Sequence, residues 1–378
     1  MGSSDLHLWF PTPHVAAKAR AVFAQSDSTP SPSVGGGFCY ALPVSVRETV
    51  IDGLERGLSA VEREDTRVLA VDSGVEPTAH DLARVEPLGR LVGRVRNDWL
   101  LGMLHERRLT SHFQPIALAR DPGLTYGHEA LLRGVLPDGS LVPPTRLFDA
   151  AREAGLMFQL DLAARRSAIA AAHSQGLRGA LFVNFAPTAI YDPTACLRTT
   201  VAAIDAAGMS RDQVVFEIVE TERAHDTDHL RRILDYYRNA GFRIALDDVG
   251  SGYSSLNLIH LLRPDILKLD MELVRGVDQD PYKARIAANL LDVANALGIE
   301  TLAEGIETEG ELEWTRAHGA TYVQGFLLGR PAPAPTHYNG ANYAIAQASA
   351  QAIDHAGSND GACTTTALSS SSSGASSL

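Results

Sequence analysis

From about residue 110 to residue 330 the chain alternates short apolar runs with amphipathic stretches of helical period. The apolar runs are "HFQPI" (112–116), "YGHEALLR" (126–133), "LFVNFA" (181–186), "VVFEIVE" (214–220), "RIALDDV" (243–249), "ILKLD" (266–270), "ETLAEGIE" (300–307) and "YVQGFLL" (322–328). Their length and β-branched content predict strands, and the stretches between them, such as "DLAARRSAIAAAHSQG" and "YKARIAANLLDVANALG", predict helices. Several helices end at a glycine, at Gly176, Gly241, Gly298 and Gly319, and Thr308 with Glu311 fits a capping box at a helix start. Eight strands, mostly strand-then-helix, predict an α/β fold: a (β/α)8 TIM-like barrel. The first two runs lie too close together for a helical crossover, so they should pair antiparallel and leave one reversed strand. An open doubly wound sheet is the structural alternative.

Outside that region the pattern weakens. "VSVRETVIDGLERGLSAVERED" predicts helix, "RVLAVDS" a strand, and residues 79–108 a largely helical stretch. The expected organisation is an N-terminal region at 1–98, small α/β or helical and regulatory in use, with a Ser/Pro/Gly linker at 26–37. A barrel follows at 99–335, and then a low-complexity, disordered tail at 336–378, although "NGANYAIAQASAQAIDHAG" within it could form a short helix.

Composition narrows the function. The chain has 378 residues, 45% hydrophobic and 21% charged, enough for a sizeable core. A formal net charge of -12 argues against general binding of DNA or RNA duplexes or of anionic membranes. Cys39, Cys196 and Cys363 show neither disulfide nor metal spacing, which suggests reduced thiols and a cytoplasmic location. No signal peptide and no apolar run long enough to span a membrane are evident.

Polar residues interrupt the apolar runs, most of them at or near the C-terminal ends, the face on which barrel enzymes build their sites. They are Glu129, Asn184, Glu217, the adjacent pair Asp247 and Asp248, Lys268, Glu304 and Gln324. Singly, each is more often a solvated, capping or backbone-bonding side chain. Together, five carboxylates at one mouth would repel by several kcal/mol without a counter-charge. Hard oxygen ligands suit Mg²⁺ or Mn²⁺. No HxxxH spacing supports zinc. A two-cation site can hold a phosphodiester and activate water against it.

The run "EALLR" (129–133) resembles the defining motif of the EAL domain, a bacterial phosphodiesterase family acting on cyclic di-GMP. It comes with "FQPI" before it and "FVNFAP", "FEIVE", "LDDVGSGYSSL", "LKLD", "AEGIET" and "QGFLLGRP" after it, all in the family's order, over about residues 99–333. The resemblance implies signal-transducing, metal-dependent hydrolysis of cyclic di-GMP to linear pGpG, inhibition by Ca²⁺, and a homodimer. It implies that Glu129, Asn184, Glu217 and Asp247 hold one cation, and that Asp247, Asp248 and Glu304 hold a second. Lys268 and Gln324 would attend the attacking water, Glu220 would steady the loop after the acidic pair, and Gln114 and Arg133 would contact substrate. Val249 stands where the family usually has Phe, and Val219 where it usually has Thr. The first puts loop order and rate in question and leaves two alternatives open: a cyclic di-GMP receptor without turnover, or a protein-interaction module. No cyclase-type "GGDEF" run is present.

Overall fold

The structure is a computed structural model describing residues 4–186, 193–219, 227–250 and 255–337. The N-terminal part runs β1 (Ser4–Trp9), α1 (Pro13–Ala24), β2 (Ser31–Pro32), β3 (Phe38–Leu42), α2 (Arg47–Gly57), α3 (Ala60–Asp65), β4 (Arg67–Asp72) and β5 (Glu86–Pro87). The strands form an antiparallel sheet in the order β2-β3-β1-β4-β5. Alternate residues of β1, Leu6 and Leu8, face a core with Phe23 of α1, Tyr40 of β3 and Ile51 and Leu54 of α2. The expected linker at 26–37 is corrected here. Ser31 and Pro32 pair with Cys39 and Phe38, so the segment is an edge of this sheet, where proline is tolerated because its missing N–H faces away from the ladder.

Helices α4 (Leu88–Arg96) and α5 (Asp98–His105) join this sheet to the barrel. Leu88 and Val92 of α4 are buried in the N-terminal core. Gly93 meets α6 (Pro144–Ala154) so closely that a Cβ there would lie 2.1 Å from the Glu153 carbonyl oxygen. Asn97, between α4 and α5, donates to Glu153 at 3.1 Å.

The second sheet closes on itself through β6 (Leu109–Leu118), β7 (Asp121–Val135), β9 (Ala180–Asn184), β10 (Val214–Val219), β11 (Arg243–Val249), β12 (Ile266–Leu269), β13 (Glu300–Ala303) and β14 (Tyr322–Gln324). A short β8 (Leu141–Val142) adds to the end of β7. β6 runs antiparallel to both β7 and β14, and the other neighbours around the barrel are parallel, so this is a (β/α)8 barrel with one reversed strand. The helices around it are α7 (Met157–Ser174), α8 (Pro193–Ala206), α9 (Thr227–Asn239), α10 (Ser255–Leu262), α11 (Met271–Val274), α12 (Pro281–Ala296) and α13 (Glu309–Ala317). Gly176, Gly241, Gly298 and Gly319 all have positive φ beyond helix ends, and Thr308 and Glu311 form the capping box.

The barrel interior explains where the polar residues fall. Ile116, Phe182, Val215, Ala245, Ile266, Leu302 and Tyr322 form one apolar cluster, drawn from seven strands. Side chains two residues apart on a strand share a face. One pleat above this cluster therefore stand Asn184, Glu217, Asp247, Lys268, Glu304 and Gln324. On the reversed strand β6 the same step runs backwards, from Ile116 to Gln114.

Candidate active site

Lys268 is the centre of the cluster. Its Nζ lies 2.7 Å from Glu217, 3.0 Å from Asp247 and 2.8 Å from Glu304, with the lysine side chain 1% exposed. Burial alone would push its pKa down. Asp247, Glu129, Glu217 and Glu304 overcome that and hold the ammonium well above its ordinary range.

Asp247 and Asp248 both reach this region because β11 carries a bulge. Leu246 pairs with Leu267 and Val249 with Leu269, so three steps on β11 match two on β12. In a regular strand neighbouring side chains point to opposite faces; an extra residue re-aims one of them. Asp248 takes up the irregularity at φ 57°, a left-handed conformation that aspartate tolerates better than most residues. Its N–H donates to Asp247 Oδ1 at 2.9 Å. Carboxylate oxygens of Asp247, Asp248 and Glu304 lie within 4.8 Å of one another, the trio expected at a second cation. Burial, then repulsion from Asp247, pushes the Asp248 pKa up to about 6. Burial outweighs the Lys268 attraction at Glu304 and raises its pKa to about 8. Glu217, fully buried, is also raised, by burial first and by Glu129 and Asp247.

Glu129 closes the other side. It accepts from Gln324 Nε2 at 2.7 Å and from Asn184 Nδ2 at 3.2 Å. Gln324 also donates to Gln114 Oε1 at 3.2 Å, and Gln114 donates to the Gly329 carbonyl at 3.2 Å. Gln114 and Glu129 are cross-strand partners on β6 and β7. Arg133 shares a strand face with Glu129, four residues further along β7, and its Nη1 donates to the Leu132 carbonyl at 2.8 Å. Glu220 lies outside the described residues. Asp270 was not anticipated from sequence; it adds to the field at Asp248 while capping α11 through the Glu272 N–H.

This donor set fits divalent cations. Five carboxylates surround a buried lysine, and repulsion and burial raise three of their pKa values. Glu217 Oε2 and Gln324 Oε1 are buried without a hydrogen-bond partner among the described residues, a costly state that a cation or ordered water would relieve. Glu129, Asn184, Glu217, Asp247, Asp248 and Glu304 could hold such ions. Asn184, donating through Nδ2, offers its Oδ1.

The reversed-strand barrel and acidic mouth define an α/β barrel protein with its polar cluster at the C-terminal ends of its parallel strands. Residues 97–331 match the EAL domain, and the chain belongs to that family. It is 30% identical over 237 residues to the "Probable cyclic di-GMP phosphodiesterase PdeG" of Escherichia coli (strain K12), covering 60% of this chain and 45% of that protein. It is 30% identical over 234 residues to the "Cyclic di-GMP phosphodiesterase NbdA" of Pseudomonas aeruginosa, covering 61% of this chain and 30% of that one. The matched part thus spans less than half of either relative's length. A standalone EAL protein from Vibrio cholerae O395, solved with c-di-GMP bound, superimposes with a TM-score of 0.56 at 35% identity, over 61% of this chain and 95% of its own. Klebsiella pneumoniae BlrP1 shares the fold over 89% of this chain and 98% of its own, at TM-score 0.56 and 23% identity. That likeness extends into the N-terminal sheet.

Proposed function

We propose that this chain is a phosphodiesterase that hydrolyses one phosphodiester bond of cyclic di-GMP to give linear pGpG, with two Mg²⁺ or Mn²⁺ ions per site. The observation that supports this best is the acidic set around Lys268: Glu217, Asp247 and Glu304 pair with it, and Asp247, Asp248 and Glu304 bring carboxylate oxygens within 4.8 Å of one another. Glu129, Asn184, Glu217 and Asp247 would hold one ion, and Asp247, Asp248 and Glu304 the other. Bound there, the pair would supply Lewis acidity toward water and toward the phosphate oxygens.

The chain's own groups do the rest. Lys268 stays protonated and offsets the charge of the carboxylates around it; because its three donors face Glu217, Asp247 and Glu304, it would exchange one of those contacts for a hydrogen bond to the attacking water. Gln324 fixes Glu129 by a 2.7 Å hydrogen bond, which holds one ligand oxygen still before the ion arrives. Arg133 can leave its carbonyl partner for a phosphate oxygen, where a guanidinium offers two parallel donors. Gln114, beside Glu129, contacts the substrate. We assign Glu220 the support of the loop after Asp248. The reading includes a homodimer and inhibition by Ca²⁺, which prefers longer bonds and a looser geometry than Mg²⁺.

Glu129→Ala and Asp247→Ala test the assignment. Each should lower turnover of cyclic di-GMP by about a hundred-fold or more, as loss of a charge-stabilising group does. Tight ligand binding with no pGpG from the wild-type protein would make the chain a receptor and overturn the enzyme reading.

A further inference from the structure

α7 carries a charged pair that the site does not use. Asp161 and Arg165 lie four residues apart, on one face of the helix, with side chains 4% and 0% exposed, and Arg165 Nη2 donates to Asp161 Oδ2 at 2.7 Å. A buried ion pair is not in itself a source of stability, since apolar residues of similar size often do as well or better. Its other bonds show what it holds.

The second oxygen of Asp161 accepts the Ala186 N–H at 3.0 Å. Ala186 lies two residues beyond Asn184, where β9 ends and the chain turns from the barrel. Arg165 Nη1 donates to Thr200 Oγ1 of α8 at 3.1 Å and to Tyr237 Oη of α9 at 3.2 Å. The guanidinium carbon also lies 5.2 Å from the Phe185 ring centroid. Phe185 in turn donates its N–H to the Glu217 carbonyl at 2.9 Å. Both residues that follow Asn184 are therefore held by this pair, against two helices and the neighbouring strand. Asn184 itself is held from the opposite side by Glu129.

We infer that Asp161 and Arg165 are positioning residues for the cation site: they fix the β9 turn through Ala186 and Phe185, and so present the Asn184 amide to a divalent ion. This rests on the function proposed above. Partners that bond a ligand directly usually change metal affinity by ten- to a hundred-fold when removed, and this pair, acting through the two residues that follow the ligand, belongs at the lower end of that range.

The test compares two double variants of the full chain. Asp161→Leu/Arg165→Met removes the acceptor and both charges, with similar volume. Asp161→Asn/Arg165→Met removes the charges but keeps a carbonyl oxygen for the Ala186 N–H. Mn²⁺ binding is read without substrate, from the electron paramagnetic resonance of the free ion. The leucine variant should bind Mn²⁺ about ten-fold more weakly or worse, and the asparagine variant within about three-fold of wild type. In turnover, the leucine variant should need correspondingly more Mn²⁺, with KM for cyclic di-GMP at saturating Mn²⁺ nearly unchanged. A leucine variant with wild-type Mn²⁺ affinity overturns the inference alone. A wild-type protein that binds no Mn²⁺ overturns the proposed function, and this inference with it. If the leucine variant does not fold, amide exchange in the wild type decides: slow exchange at Ala186 supports the bond to Asp161, and exchange as fast as in an open loop refutes it.

Discussion

Asp248 is the residue at which backbone and chemistry compete. Its φ of 57° and its raised pKa both cost stability, and both follow from placing a second carboxylate beside Asp247. Asp248→Gly should therefore hold or raise thermal stability, by up to about 1 kcal/mol, because glycine accepts that φ without strain and removes a repelling charge. The same change should weaken Mn²⁺ binding, measurable by calorimetry. Lower stability together with intact affinity would mean that the bulge serves packing rather than ion binding. Val249 beside it is fully buried in the main core and pairs with Leu269, so a β-branched residue occupies the position where the family usually has Phe. Neighbouring residues 251–254 lie outside the described residues, so the effect on loop order is carried by the turnover test.

Among the elements, the barrel strands are legible because both faces of the parallel strands are buried and their runs are continuously apolar. β11 spans Arg243–Val249, as its run predicts. β6 and β7 are longer than their runs, at 10 and 15 residues; they pair with each other from Leu109 and Gly134 to Leu118 and Asp121, and the added residues include polar ones such as Thr110, Asp121 and Thr125 that break the apolar pattern. The site was legible for a related reason: a charged residue one pleat above an apolar one stands out within a short strand. The bulge at Asp247–Asp248 was not, since register depends on the partner strand. Nor was the support from Asp161 and Arg165, because nothing in the sequence of α7 shows which residues at the end of β9 lie beside them. In the N-terminal sheet, the Ser/Pro/Gly composition of residues 26–37 does not reveal β2, because small polar residues build edge strands and tight turns as well as linkers. The α4–α6 contact belongs to this scale. Gly93→Val should cost about 1–3 kcal/mol, read as a lower Tm, because the Glu153 carbonyl leaves no room for a Cβ. An unchanged Tm would show that α4 can shift away from α6 at little cost.

Across the whole molecule the acidic mouth links stability to pH and to metal. Glu304 rises from 4.5 to about 8 and Asp248 from 3.8 to about 6 on folding, and Glu217 rises as well. Within those windows the folded chain holds protons that the unfolded chain has released. The contribution of these three groups to metal-free stability is therefore full below their unfolded values and is lost as pH rises from about 4 to about 8. Mg²⁺ competes with those protons, so the stabilisation it gives should grow over the same range. Thermal melts at several pH values, with and without Mg²⁺, check both slopes; a metal effect that shrinks with rising pH would contradict the assignment of these carboxylates.

Among the described residues no helix is long and apolar enough to cross a membrane. The most direct test is wild-type protein with cyclic di-GMP, resolved by chromatography, first after chelation and then with Mg²⁺ or Mn²⁺ restored. The account predicts no product after chelation and linear pGpG once either ion returns. Absence of pGpG at every metal concentration, or its formation in the chelated sample, would contradict it.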